Sequence, residues 1–306
     1  MNPITPNLFA ISDAVLPKSK FDDLPPVYAQ KTTWTGNWYV SIQIQEELAK
    51  KGDKNFSSAT NDGDNLQLIQ DFIDTLNANG ETPAYIGWGS MVAVSPQHMT
   101  RMAVESLKQA NLSGIICGGF AKLSKDLLSK VDDKELIDYA DKHILFSQSA
   151  PHDWLFKKCC TVVHHGGAGT LAASLRSGVP TIITPCVADQ YDNASLIEGA
   201  GCGVGFKKAL KKTTAQDLAK ALKTCTDNEN NETIQSNCKR IARAMESEDG
   251  IKTAVQIINE FMTTKVDSGE WKSDFDARLE QRTLDSWTFG KAFSRLLFYK
   301  HPFVED

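Results

Sequence analysis

Short apolar runs alternate with longer amphipathic stretches between about residue 66 and residue 264 of this chain. The runs have the length of buried strands, and the longer stretches repeat apolar residues at helical spacing. One strand plus one helix takes roughly 30 residues, the size of a βαβ unit. The pattern therefore predicts an α/β fold, a doubly wound, Rossmann-like parallel sheet. The predicted strands are 83–88, 113–117, 143–147, 160–164, 180–184 and 203–206.

Helix starts are marked by capping residues. Ser95 followed by Pro96 is typical of an N-cap with proline in the first helical turn, and Thr214 with Asp217 is a capping-box variant. Apolar positions then repeat at helical spacing, so they form a stripe on one helix face. These positions are Met99, Met102, Ala103 and Leu107 on one helix, and Ile251, Ala254, Ile258 and Phe261 on a later one.

The segments outside this pattern lack the alternation of strands and helices. Residues 1–40 contain five prolines, so we expect irregular structure there. Residues 50–65 are polar and rich in Gly, Ser, Asn and Asp, which predicts an exposed linker. Residues 287–303 have a short apolar helical stripe with basic residues around it. Two interpretations of this tail stay open: a helix that packs on another domain, or a helix that lies on a membrane surface.

Composition excludes several function classes. The chain has 306 residues and a formal net charge of −5, which argues against nucleic-acid binding. No apolar run approaches the roughly 20 residues of a membrane span, and the N-terminal residues lack the pattern of a signal peptide. Seven cysteines without a C-x-x-C motif predict neither a disulfide framework nor a zinc ribbon. We therefore expect a cytoplasmic protein.

The most informative motif follows the strand at 160–164. Two histidines and a glycine-rich turn lead directly into a helix, an arrangement that places free helix amides and imidazole where a phosphate would bind. A tight turn with a structural histidine is the alternative. A metal site is disfavoured, because adjacent strand residues point to opposite faces. The motif consists of His164, His165, Gly166, Gly167, Ala168, Gly169 and Thr170.

The motif belongs to a longer resemblance. PHDWLF at 151–156, VVHHGGAGTLAASLRSGVPTIITP at 162–185 and ADQYDNA at 188–194 resemble the donor-binding half of UDP-glycosyltransferases of the GT-B fold, and most of all the sterol glucosyltransferases. PAYIGWGSM at 83–91 and SEDGIKTAV at 247–255 extend it. The fold implied is the C-terminal domain of GT-B. The resemblance further implies three parts: 1–65 as the end of a first domain with its hinge and linker, 66–264 as the donor-binding domain, and 265–306 as a tail.

The resemblance implies a role for each candidate residue. His164 would contact the UDP diphosphate, whereas His165 is either a second contact or a supporting group. The helix that starts near Gly167 to Thr170 would give its amides to the phosphates. The remaining candidates are Gly89 and Ser90 beside the diphosphate and sugar, Asp189 and Gln190 on the sugar hydroxyls, and Ala150 to His152 along the uracil. Trp88 would either flank the site or fill a seam between domains.

Two positions depart from the plant-type pattern, because Ser149 stands where a tryptophan stacks on uracil and Ala172 where a glutamate binds the ribose. The family uses a histidine near the start of its first domain as general base, and the first histidine here is His98. The base is therefore expected outside this chain. The chain is then a fragment, a half-enzyme with a separate acceptor-binding subunit, or a protein without transferase activity.

The function implied is inverting transfer from UDP-glucose or a related UDP-sugar to a sterol or other lipid-like hydroxyl. The alternative is a nucleotide-sugar binding module. We expect no cofactor beyond the UDP-sugar as co-substrate, and no metal. The two D-x-D sequences, at 62–64 and 274–276, lie in polar, loop-like surroundings instead of following a strand.

Overall fold

In the computed structural model of the protein, each of the six predicted apolar runs forms a strand of one parallel sheet. Their ends lie within one residue of the predicted ones. The strands of this sheet are β3 (Ala84–Gly87), β4 (Gly114–Cys117), β5 (Ile144–Ser147), β6 (Thr161–His164), β7 (Thr181–Ile183) and β8 (Gly203–Gly205). They lie in the order β5-β4-β3-β6-β7-β8. The chain therefore reverses direction across the sheet between β3 and β6, as in a doubly wound Rossmann fold.

The structure describes residues 5–21, 32–40, 63–128 and 133–284, together with Ile44, Glu47 and Lys51. The chain divides into two compact units, one made of Met1–Trp38 with Glu248–Asp306 and the other of Tyr39–Ser247. The larger unit contains the six-stranded sheet. The predicted tail helix at 287–303 and the linker residues 52–62 lie outside the described residues. The division at residues 65 and 264 stays a prediction.

Helices cover both faces of the sheet in the larger unit. They are α1 (Gly63–Ala78), α2 (Pro96–Ala110), α3 (Lys134–His143), α4 (His152–Leu155), α5 (Ala168–Ser177), α6 (Gln190–Gly199), α7 (Ala215–Thr226) and α8 (Asn228–Glu246). The caps form as predicted: the His98 amide donates to Ser95 Oγ at 3.1 Å, and Thr214 and Asp217 make a complete capping box.

Strand alternation divides the core into two layers. In β3, Ala84 and Ile86 pack with α2 and α7, whereas Tyr85 between them packs on the opposite face with α1 and α4. The same alternation places Val163 of β6 in the first layer and Val162 in the second. Because side chains alternate along a strand, the residue that follows Val163 must point toward the second layer. That residue is His164.

The smaller unit corrects one expectation. Residues 1–40 are not wholly irregular, because β1 (Asn7–Phe9) and β2 (Thr32–Trp34) form a parallel pair. The later helices are α9 (Gly250–Phe261) and α10 (Glu270–Leu284), joined by a π-helical turn at Met262–Val266. Of the four residues of the apolar stripe on α9, only Ala254 is buried. None of the helices in the described part of the chain has the length and apolar content that a membrane span requires.

Candidate functional site

The candidate residues lie along the carboxyl edge of the sheet, around the point where the strand order reverses. β3 and β6 are hydrogen-bonded neighbours there. The loops after these strands diverge, because β4 lies beyond β3 and β7 lies beyond β6. Ligands of open α/β sheets bind in the crevice that such divergence creates. The topology therefore brings the loops that begin at Trp88 and at His165 to one place.

His164 is a buried residue beneath α5, with no exposed surface. Its Nδ1 accepts the Gly166 amide at 2.9 Å, so the neutral ring carries its proton on Nε2. This atom lies 3.3 Å from Ser174 Oγ, which in turn donates to the Leu171 carbonyl at 2.9 Å. Burial, with His165 and His152 adding to it, lowers the pKa of His164 to about 3. Both ring nitrogens are engaged internally.

This geometry is against the predicted contact between His164 and a phosphate. The strand alternation turns the His164 ring under the helix, away from the edge where a ligand would bind. His164 instead fixes the conformation of the turn through the Gly166 amide. The structural role that the sequence left open for a histidine in this turn thus falls to His164.

His165 has the opposite orientation. Its Nδ1 is buried and has no hydrogen-bond partner among the described residues. The ring lies against two glycines: a Cβ atom added at Gly89 would be 3.2 Å from its Cε1, and one added at Gly167 would be 2.5 Å from its Nε2. Burial lowers the pKa of His165, while the charge of Asp189 opposes that shift. The neutral imidazole is thus held between the loop after β3 and the start of α5.

The first turn of α5 presents its amides without a capping side chain. Gly167 is the N-cap residue and makes no side-chain cap bond. Ala168 and Gly169 are exposed, and a Cβ added at Gly169 would meet nothing within 4 Å. Helix N-termini with free amides attract anions. Gly166 makes the turn possible, since its φ is +91° and a Cβ there would lie 2.7 Å from Ile183.

The loop after β3 lies beside this turn. Gly89 has a φ of +56°, and both Gly89 and Ser90 are exposed. The Gly89 carbonyl accepts the Phe120 amide at 2.9 Å, which ties this loop to the one after β4. Trp88 belongs to the core below: it is 1% exposed, and its Nε1 donates to Thr184 Oγ1 at 2.8 Å. Trp88 therefore neither flanks the site nor fills a seam between domains. It lies in the core beneath the site.

Asp189 and Gln190 are adjacent in sequence but differ in environment. The Asp189 carboxylate is exposed and close enough to influence the His165 ring. Gln190 is 6% exposed, and its Oε1 accepts the amides of Cys186 at 2.7 Å and Val187 at 3.1 Å. Its Nε2 contacts Met91 Sδ at 3.6 Å. Gln190 thus holds the loop after β7, and only Asp189 is open to a ligand in this structure.

The predicted uracil segment follows β5. Ala150 and Pro151 are half-buried. The His152 side chain faces inward, where its Nε2 lies 3.1 Å from the Tyr85 hydroxyl and its ring stacks on Phe156 at 4.6 Å. Burial lowers the pKa of His152. Contact with a base through backbone groups of this segment stays a prediction.

Two supporting residues were missed by the sequence analysis. Ser174 holds the His164 ring, and Asn193 Nδ2 donates to the Gly166 carbonyl at 2.8 Å. Ser174 lies 10 residues from His164 in sequence and Asn193 lies 27 residues from Gly166, so each becomes adjacent only through packing. A signal existed for Ser174 alone, because a polar residue interrupts the apolar face of α5.

The D-x-D sequence at 274–276 does not lie in the loop predicted for it. Asp274 and Asp276 lie on α10 instead of in a loop, and Asp276 pairs with Lys272 at 2.6 Å. The other pair includes Asp62, which lies outside the described residues. No cluster of three metal-binding side chains occurs in the part of the chain that the structure describes.

The arrangement can hold an anionic group. Free amides at the start of α5, the neutral His165 ring and the exposed backbone of Gly89 converge on the crevice, while the Asp189 carboxylate lies at its rim. Amides and a neutral imidazole donate hydrogen bonds to phosphate oxygens. A carboxylate instead accepts from hydroxyl groups. The site thus combines groups that are able to bind a phosphate with a carboxylate that is able to bind a hydroxyl.

The chain is similar to a known protein family and to several curated proteins. Residues 120–261 match the family model of the erythromycin biosynthesis protein CIII-like C-terminal domain. The chain is 38% identical over 190 residues to a sterol 3-beta-glucosyltransferase of Saccharomyces cerevisiae, covering 62% of this chain and 15% of that protein. It is 32% identical over 254 residues to a sterol 3-beta-glucosyltransferase of Yarrowia lipolytica, covering 83% of this chain and 15% of that protein.

Solved structures share the fold. A UDP-glucose: anthocyanidin 3-O-glucosyltransferase in complex with UDP aligns with a TM-score of 0.50 and 19% identity, covering 62% of this chain and 43% of that one. A glycotransferase of kitacinnamycin aligns with a TM-score of 0.52 and 16% identity, covering 83% of this chain and 54% of that one. The match to the curated relatives spans about 15% of their length.

Proposed function

We propose that this chain is the C-terminal, donor-binding domain of a GT-B glycosyltransferase, and that it binds the diphosphate of a UDP-sugar in the crevice between the loops after β3 and β6. The donor is UDP-glucose or a related UDP-sugar. The enzyme to which this domain contributes transfers the sugar to the hydroxyl of a sterol or similar lipid. Partner surfaces for the acceptor come from a further domain or subunit.

One observation carries this proposal: the uncapped start of α5 lies directly beside the His165 ring, whose Nδ1 has no hydrogen-bond partner among the described residues. A buried polar atom without a partner is costly, so a ligand that supplies an acceptor stabilises the site. A diphosphate supplies several acceptor oxygens and a negative charge for the helix terminus. Gly166 to Thr170 bind it through the backbone, and His165 through its ring.

The same contacts would assist the chemistry. The acceptor oxygen attacks the anomeric carbon, the bond from that carbon to the diphosphate oxygen breaks, and UDP leaves with the electron pair. The acceptor proton passes to a base outside this chain. Charge grows on the leaving diphosphate, where the α5 amides and His165 offset it in a preorganised way. Transfer in one displacement inverts the anomeric centre.

The sugar and base contacts are the finer part of the proposal. Asp189 accepts hydrogen bonds from sugar hydroxyls, and Gln190 places Asp189 by fixing the loop after β7. Gln190 Oε1 can bind the sugar only if it gives up its hydrogen bonds from the two loop amides. Ser90 lies beside the diphosphate and sugar. The backbone of Ala150 to His152 lines the uracil.

Titration calorimetry with uridine, UDP and UDP-glucose tests the proposal on this chain. UDP is expected to bind at least about a hundredfold more tightly than uridine, since two charged phosphates each contribute about 1.5–3 kcal/mol. Equal affinity for uridine and UDP would contradict a phosphate site. Absence of UDP binding at millimolar concentration would refute the proposal.

We include no metal and no further cofactor in this site. The phosphate charge is offset by helix amides and an imidazole, so UDP affinity is expected to be the same in EDTA as in Mg²⁺. A Mg²⁺ concentration of about 5 mM is an ordinary excess for a weak site of oxygen ligands. A loss of UDP binding in EDTA would reject this part of the proposal.

A nucleotide-sugar binding module without activity is the second candidate. It is favoured because His164 and His152 make hydrogen bonds inside the fold. Of these neighbouring histidines, His165 is then the one beside the crevice, and we assign it to the phosphates instead of to the acceptor. Incubation with UDP-glucose and ergosterol separates the candidates. Release of UDP at a rate above the chain-free control would show turnover. UDP-glucose binding without UDP release would support the binding module.

A further inference from the structure

A second cavity lies at the opposite end of α5 from the crevice. It has a volume of about 540 Å³ and is enclosed by α4, the end of α5 and the second half of α8. This volume is in the range of small-molecule sites. Because α5 has ten residues and rises about 1.5 Å per residue, the cavity is roughly 15 Å from the start of the helix. It is thus separate from the proposed diphosphate site.

The cavity is strongly basic although the chain as a whole is acidic. Four cationic side chains line it against two carboxylates, which gives a balance of +2, whereas the chain has −5. The cationic residues are Lys157, Arg176, Lys239 and Arg243, and the acidic residues are Asp153 and Glu246.

Arg176 is the fixed part of this lining. Its Nη2 pairs with Asp153 at 2.6 Å, and its guanidinium stacks on the Tyr39 ring at 3.9 Å. These two contacts hold the planar group in one orientation. Its Nη1, however, is buried and has no hydrogen-bond partner among the described residues. A donor held in place without an acceptor indicates that a ligand oxygen completes the site.

The other cations are free to add charge. Lys157, Lys239 and Arg243 have no carboxylate within ion-pair distance in the described ranges of the chain. Lys239 and Arg243 are four residues apart on α8, so they project from the same face of the helix. Gly178 lies close to that helix: a Cβ there would be 3.4 Å from Ala242 Cβ. The close packing of α5 on α8 brings Arg176 and the α8 cations to one cavity.

From this combination we infer that the cavity binds a small molecule that carries a phosphomonoester. Such a group has a charge of about −1.5 to −2 at neutral pH, which matches the balance of +2. A guanidinium edge is well suited to phosphate oxygens, and lysines add point charges. Tyr39 and Val179 give the cavity an apolar part for the remainder of the molecule. The phosphomonoester belongs to a soluble metabolite or to a lipid headgroup.

Calorimetry with glycerol 3-phosphate tests the site in its soluble form, and flotation with vesicles of phosphatidylcholine containing phosphatidic acid tests the lipid form. The test variant is Lys239→Gln with Arg243→Gln, two exposed residues whose replacement leaves the core intact. The matched control is Arg240→Gln, which removes an exposed charge on the same helix outside the cavity lining. Each variant is also titrated with UDP.

Wild type is expected to bind at least one of the two probes, and the double variant to lose about tenfold or more in affinity. Arg240→Gln and the UDP titrations are expected to match wild type. Binding of glycerol 3-phosphate assigns the soluble source, and flotation only with phosphatidic acid assigns the lipid source. Absence of binding to both probes would overturn the inference, and so would an equal loss in Arg240→Gln. Failure of UDP binding alone would count only against the diphosphate site.

Discussion

Replacing His165 with alanine is expected to weaken UDP binding without destabilising the free protein. The imidazole Nδ1 is buried and unpartnered in the structure, so its removal deletes a desolvated polar atom instead of an internal hydrogen bond. Replacing His164 should do the reverse. Its loss would leave the Gly166 amide and the Ser174 hydroxyl without their partner, beneath a helix and away from the ligand.

The magnitudes follow from these contacts. One hydrogen bond to a charged phosphate contributes about 1.5–3 kcal/mol, so His165→Ala should weaken UDP binding by roughly tenfold to a hundredfold. Each buried group that loses its partner costs about 1–3 kcal/mol. His164→Ala exposes two such groups and opens a cavity, and its free energy of unfolding should fall by several kcal/mol.

Calorimetry and thermal unfolding together measure both effects. UDP affinity is determined well below the unfolding temperature of each variant, and the unfolding temperature is measured with and without UDP. At a UDP concentration of 100 times Kd, a ligand stabilises the native state by about 2.7 kcal/mol. A tenfold loss of affinity in His165→Ala should reduce this stabilisation to about 1.4 kcal/mol.

His165→Gln is the conservative control, because its amide can still donate a hydrogen bond. It should bind UDP more tightly than His165→Ala. The reasoning would be refuted if His165→Ala bound UDP as tightly as wild type. It would also be refuted if a folded His164→Ala variant lost more affinity than His165→Ala, since the contact would then belong to His164 after a rearrangement of the turn.

Three further predictions concern the same edge of the sheet. Gly167→Ala should reduce UDP affinity, because its Cβ would lie 2.5 Å from His165 Nε2, whereas Gly169→Ala has open space around it and should bind UDP as wild type does in the same titration. The stability that neutral His164 contributes is complete above its ordinary pKa of 6.5 and is lost as the pH falls toward about 3, at up to about 1.4 kcal/mol per pH unit. His164→Asn should therefore lose less stability than wild type between pH 7, 5.5 and 4.5, measured by urea unfolding. An equal slope of stability against pH in the two proteins would contradict this assignment. Asp189→Asn should lower UDP-glucose affinity while leaving UDP affinity within about twofold, and a parallel loss for UDP would make Asp189 a structural residue.

The strands and caps could be predicted because their causes are local. A short apolar run bounded by turn residues favours a buried strand, and Thr214 with Asp217 closes a capping box within four residues. The α9 stripe shows where local information ends. Apolar periodicity shows which face of a helix avoids water, but Ile251 and Ile258 are exposed because nothing in the described chain covers them.

The site, too, has some features with local causes and others that depend on packing. The glycine-rich turn and the helix after it were readable from the sequence, since free amides at a helix start need only local geometry. Which histidine ring lies beside the crevice could not be predicted from local geometry. His164 and His165 are identical side chains one position apart, and only the layer that α5 covers decides which ring is buried.

By itself, the sequence determined the fold class, the order of its elements and the turn that can hold an anion. It did so because hydrophobic periodicity and helix capping act over a few residues. The tertiary structure alone decided the strand order that joins the β3 and β6 loops, the commitment of Gln190 to its own loop, and the basic cavity between α5 and α8. Each of these depends on contacts between residues distant in the chain, which packing creates and no local pattern encodes.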